Sequence, residues 1–124
     1  MLEGKYWLTK LRPEIICHSA LRDWLVWKHC DRYTEGILDI SISRGKITLW
    51  FELKILPRLT TSVQANNLKK LGEGAYLIEV AKDLKGAAIL GVTTYDFCRS
   101  PRHGGVGLTS RWIANEIAKR CINA

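Results

Sequence analysis

The sequence predicts an α/β fold: one domain, residues 1–124, with a mixed central β-sheet flanked by helices. Three observations predict it. Residues 37–56 read as two alternating strands around a glycine turn, 75–92 as two more apolar strands, and helical periodicity appears before, between and after them. A length of 124 residues supports one domain with a real core. With 47% hydrophobic residues, disorder over most of the chain is disfavoured.

Residues 1–12, carrying Tyr6, Trp7, Leu8 and Leu11, read as a short helix or an edge segment packed on the core. Pro13 suits a first helical turn. From Glu14 to about Trp24, the residues Ile15, Ile16, Ala20 and Leu21 mark a helix with one apolar side. Trp24–Trp27 has strand character, and 28–35 reads as a polar loop. After the hairpin, Pro57 ends ladder pairing. Thr60, Thr61 and Ser62 offer caps for a helix over 63–71, which Gly72 stops. Its stripe is Gln64, Leu68 and Leu71, with a glutamine at its head that is either a satisfied amide or directed into a site. Strands follow at 75–81 and 87–92 across an Asp83–Gly86 turn. Residues 99–107 read as a mobile basic loop. Thr109 or Ser110 caps a last helix to about Cys121, buried along Trp112, Ile113, Ile117 and Cys121.

Strand parity in the hairpin carries the chemistry. Side chains alternate faces along a strand. Asp39, Ser41 and Ser43 share one face of the first strand; Thr48, Trp50, Glu52 and Lys54 share one face of the second. A two-residue loop at Arg44-Gly45 pairs Asp39 with Trp50 and gathers Asp39, Glu52 and Lys54 on one side, whereas a three-residue loop splits them. Burial of the opposite apolar face enforces the register. Two carboxylates and an amine at one sheet edge are what a divalent cation and an attacking water need to cut a phosphodiester.

Nineteen Lys and Arg against twelve Asp and Glu give a net charge of +7, which favours a polyanionic partner such as nucleic acid. No apolar run approaches the roughly 20 residues of a membrane span, and the N-terminus has no signal-peptide pattern, so a cytoplasmic protein is expected. Cys17, Cys30, Cys98 and Cys121 show no CxxC spacing and read as reduced, buried small hydrophobes. The Cys17-His18 and His29-Cys30 pairs fit no common zinc finger.

Asp39, Glu52-Leu53-Lys54 and Gln64 on the next helix resemble the PD-(D/E)XK nuclease superfamily. The stretch Asp31-Arg32-Tyr33-Thr34-Glu35-Gly36-Ile37-Leu38-Asp39 resembles the Gly-x-Pro-Asp segment of VRR-NUC and phage Holliday-junction-resolvase-like nucleases, with Leu38 in place of the usual proline. The resemblance covers roughly residues 14–92 and implies a restriction-endonuclease-like core. It also implies Mg²⁺ or Mn²⁺ held by Asp39, Glu52 and the Leu53 carbonyl. Lys54 is then expected to orient or deprotonate the water, or to neutralise the phosphate. Gln64 hydrogen-bonds the water, the phosphate or Lys54, and Glu14 matches an extra acid that some members use. A viral host cell is the setting such compact members suggest.

Lys28, Arg32, Arg44, Arg99 and Arg102 are candidate phosphate contacts. Trp24, Trp27 and Trp112 read as core, and Trp50 either stacks on a base or covers the hairpin. The expected activity is metal-dependent endonucleolytic cleavage of DNA, branched or junction DNA by the resemblance, with a homodimer as a plausible assembly. The alternatives are a non-catalytic nucleic-acid-binding module on a nuclease-like fold, or a protein whose basic face docks an acidic partner.

Overall fold

A computed structural model of the chain describes residues 2–29, 39–58, 62–91, 97–99 and 106–124, with backbone only at 2, 97–99 and 106–108. Helix α1 (Leu2–Tyr6), a π-helical turn (Trp7–Leu11) and α2 (Arg12–Ile16) form one helical run. The Arg12 N–H donates to the Trp7 carbonyl, one residue further back than in an α-helix. This wide turn sits directly before Pro13, which lacks an N–H and crowds the turn behind it. Tyr6, Trp7, Leu11 and Ile15 are buried along the run. The N-terminal segment is thus the helix of the two expected forms.

The helix predicted from Glu14 to Trp24 is shorter than that. It ends at Ile16, a 3₁₀ turn occupies Ser19–Leu21, and strand β1 begins at Leu25. His18 breaks the run: it adopts an extended backbone, and its ring accepts the Ala20 N–H. Ile16 is exposed as a result.

Six strands follow one another in space as in sequence: β1 (Leu25–Lys28), β2 (Ile40–Arg44), β3 (Ile47–Ile55), β4 (Ala75–Val80), β5 (Ala87–Gly91) and β6 (Phe97–Arg99). All neighbours are antiparallel except β3 and β4, which are parallel across helix α3 (Ser62–Leu71). The sheet is therefore mixed, and the chain is α/β as predicted.

The β2–β3 turn departs from expectation by one residue. Its two loop residues are Gly45 and Lys46, so Arg44 pairs with Ile47, and Ser41 with Trp50. Gly45 has φ of +60° while Lys46 does not have positive φ, the pattern of a II′ turn with glycine first. The slide is two residues along the ladder, so parity is preserved. Continuing the register sets Asp39 across from Glu52 rather than from Trp50.

One face of the sheet carries Ile40, Ile42, Leu49, Phe51, Leu53, Ile78, Val80 and Ile89, all buried against the N-terminal helical run and α4 (Val106–Ile122). From α4 come Ile113, Ile117 and Cys121, as predicted, but the helix starts earlier than Thr109. Thr109 and Ser110 are buried inside it, not capping it. Part of the expected 99–107 loop is likewise regular: Arg99 ends β6 and Val106 opens α4. Residues 100–105 lie outside the described residues.

The other face meets α3, whose only buried residue is Leu68, packed with Ala75 and Trp50. Leu71 is exposed, so the expected stripe narrows to its middle. Trp24 is buried and Trp112 packs against the core, but Trp27, predicted to be core, is 57% exposed. Cys121 is buried, whereas Cys17 is exposed, and His18 bonds Asn115 across to α4. No helix among the described residues is long and apolar enough to cross a membrane.

Candidate functional site

The parallel β3–β4 crossover decides where the polar side chains meet. Glu52 and Lys54 sit in the middle of the sheet, on the face that α3 covers, so both are buried, Glu52 at 1% exposure. Asp39 directly precedes β2, and Gln64 lies in the first turns of α3. The Asp39 N–H donates to Glu52 Oε2 at 3.1 Å, and the Leu53 N–H donates to Asp39 Oδ2 at 3.3 Å. Each acid is thereby held by the backbone of the other's strand. Glu52 Oε1 accepts from Gln64 Nε2 at 2.8 Å and lies 3.5 Å from Lys54 Nζ. Lys28, the last residue of β1, brings Nζ to 3.4 Å from Asp39 Oδ1.

Asp39, Glu52, Leu53, Lys54, Gln64 and Lys28 all line one cavity of about 650 Å³. The N-terminal helical run also lines it, through Glu3, Trp7 and Arg12, as does Arg58 beyond the end of β3. Four cations and three acids line it, counting Arg12, Lys28, Lys54 and Arg58 against Glu3, Asp39 and Glu52. Burial, then the Asp39 charge, pushes the Glu52 carboxyl up to about 7 from an ordinary 4.5; Lys54 and its hydrogen bonds only partly offset this. Two close carboxylates, one of them buried, leave a standing demand for positive charge.

Other sequence candidates lie elsewhere. Glu14 turns to Arg111 of α4, 3.9 Å away, and does not line the cavity. Arg44 stands at the far end of β2, its guanidinium 5.1 Å over the Trp24 ring. That is about 16 Å along the strand from Asp39. Arg99 lies on β6 with its side chain outside the described residues, and Arg32, Arg102 and the 31–38 segment are outside them altogether.

Sequence reading missed Glu3, Arg12 and Arg58. Glu3 is buried; its Oε2 accepts from Arg58 Nη1 at 2.9 Å, while Oε1 has no hydrogen-bond partner among the described residues. The signal was helical spacing: Glu3, Trp7 and Leu11 fall on one stripe, which put an acid on the buried side.

A hard divalent cation fits the donor set. Asp39 and Glu52 offer carboxylate oxygens with spare lone pairs. Strand alternation turns the Leu53 carbonyl to the same side as its N–H, past Ile40, the last β2 residue in the ladder. Among the described residues no group of three or more His, Cys, Asp and Glu side chains is placed to hold a metal. A cation here therefore depends on main-chain oxygen and water for the rest of its shell, as Mg²⁺ commonly does.

No family model, curated protein or solved structure matches the chain.

Proposed function

We propose that this protein is a Mg²⁺- or Mn²⁺-dependent endonuclease that hydrolyses DNA phosphodiester bonds, acting on branched or junction DNA. The observation that carries the reading is the reciprocal linkage of Asp39 and Glu52, with Gln64 and Lys54 both on Glu52 Oε1, in a cavity that four cations line.

Asp39, Glu52 and the Leu53 carbonyl are the oxygens that would hold the cation. When bound, it polarises the phosphate and acidifies a water. The chain's own groups do the rest. Lys54 Nζ, buried beside Glu52, supplies fixed positive charge where the phosphate gains negative charge as the water oxygen bonds to phosphorus and the P–O bond to the leaving oxygen breaks. Gln64 holds Glu52 in one rotamer, so the carboxylate need not reorganise. Arg12 and Lys28 on the walls position backbone phosphates, a mode of contact that fixes register without reading sequence. One small domain offers little surface for base readout, which favours recognition by DNA shape.

The test uses labelled linear, nicked, flap and four-way DNA with Mg²⁺, Mn²⁺ or EDTA. Cleavage restricted to metal and to branched substrates, and lost in Asp39→Ala and Glu52→Ala, supports the reading. Cutting that persists in EDTA or in both variants removes it. Binding without any metal-dependent cutting indicates a non-catalytic module instead.

A further inference from the structure

We propose that Trp27 is a stacking platform for one unpaired base of the DNA strand held at the acid pair, so that the substrate carries single-stranded character beside the cut. This rests on the nuclease reading above. The ladder sets Trp27, Ser41 and Trp50 in one row across β1, β2 and β3, on the face that carries Glu52 and Lys54. The next row begins with His29, whose N–H bonds the Asp39 carbonyl at 2.6 Å. Two residues along a strand is about 7 Å, so the aromatic row lies one step from the acids.

The row is built to hold a ring still. Trp27 and His29 lie parallel, 4° apart in plane with centroids at 5.9 Å. His29 in turn meets Trp50 at 5.2 Å, and its Nε2 is fixed at 2.8 Å from Ser41 Oγ. Trp50 is anchored on Leu68 and Ala75 under α3. The stack therefore has a half-buried end at Trp50 and an open end at Trp27, which is 57% exposed. Lys28, the next residue, belongs to the opposite face of β1 but reaches Asp39 at the strand's end, so a cation at the acid pair follows the open ring directly along the chain. Cations within reach of an open aromatic ring are the combination that binds single strands, because every base has a π-face. A duplex satisfies its own bases by stacking, so only a strand opened near the cut can use the platform. The competing occupant is a second copy of the chain docked on the β1 edge, where Leu25 is also 57% exposed.

The experiment is fluorescence anisotropy of a labelled oligo(dT) and of a blunt duplex in EDTA, with wild type, Trp27→Ala and Trp27→Phe, alongside sedimentation. Trp27→Ala is expected to weaken oligo(dT) binding about tenfold or more, Trp27→Phe to stay within about threefold, and duplex binding to change less than about twofold. An abasic oligonucleotide is expected to bind wild type as weakly as oligo(dT) binds Trp27→Ala. Equal affinity for abasic and intact strands, an equal loss on duplex, or a change of oligomeric state in Trp27→Ala overturns the platform. Because no metal is present, the two readings separate. Base-dependent binding in a chain that never cuts upholds the platform and removes the nuclease, and Asp39-dependent cutting with a neutral Trp27→Ala does the reverse.

Discussion

Asp39 and Glu52 exchange support across the β2–β3 ribbon: the Asp39 amide holds Glu52 Oε2, and the amide following Glu52 holds Asp39 Oδ2. The two carboxylates continue the ladder beyond its last backbone pair. They are also placed so close that burial and mutual repulsion oppose their joint ionisation.

Isosteric neutralisation tests their role without changing shape. Asp39→Asn and Glu52→Gln are expected to lower single-turnover cleavage by more than about a hundredfold, beyond what an outer-shell change costs. Calorimetric titration with Mn²⁺ is expected to show lost binding in both. Wild-type rates in either variant would end the assignment.

Glu52 also predicts a pH dependence with a definite sign. Its folded value, about 7, lies above its ordinary 4.5, so between these limits the folded chain keeps a proton that the unfolded chain has released. In EDTA, stability therefore falls as pH rises from about 4.5 to about 7 and then levels, by on the order of 3 kcal/mol from this group. Urea melts at pH 5, 6, 7 and 8 measure it, and Glu52→Gln is expected to flatten the profile. Mn²⁺ affinity should rise with pH to about 7, since the cation competes with that proton.

Gln64 orients Glu52 from α3. Gln64→Leu is expected to reduce turnover roughly 10- to 100-fold. Gln64→Glu sets a third carboxyl against Glu52 and is expected to move the pH–rate profile upward, a shift that merely structural damage does not produce.

The turn glycine makes a prediction about the fold. A Cβ on Gly45 meets nothing within 4 Å, yet its φ is +60°. Gly45→Ala is therefore expected to cost roughly 1–2 kcal/mol in a urea melt through backbone conformation alone. Gly86→Ala, equally open and without positive φ, is expected to cost nothing comparable.

Phe51 supports Glu52 from the opposite face of β3, fully buried and stacked on Tyr76 at 5.4 Å. Phe51→Ala is expected to lose about 3–5 kcal/mol, read as a lowered melting temperature. Phe51→Leu is expected to retain the fold with a smaller loss.

The order of helical and alternating segments predicted the α/β class, and alternation along residues 39–55 predicted the apolar face of β3 and the grouping of Asp39, Glu52 and Lys54, because a period of two leaves each residue one side of a sheet. The same local signals located α3, Gly72 and the β4–β5 pair. Tertiary structure decided the rest. Glu14 and Glu3 are both helical acids, and only the packing of α2 on α4 sends one to Arg111 and the other into the cavity. Trp27 and Trp24 look alike in sequence; edge position on β1 leaves one open while the core takes the other. Arg58 pairs with Glu3 across 55 residues, and Arg12 lines the same cavity as the distant Glu52; contacts of that separation leave no periodic trace in a chain.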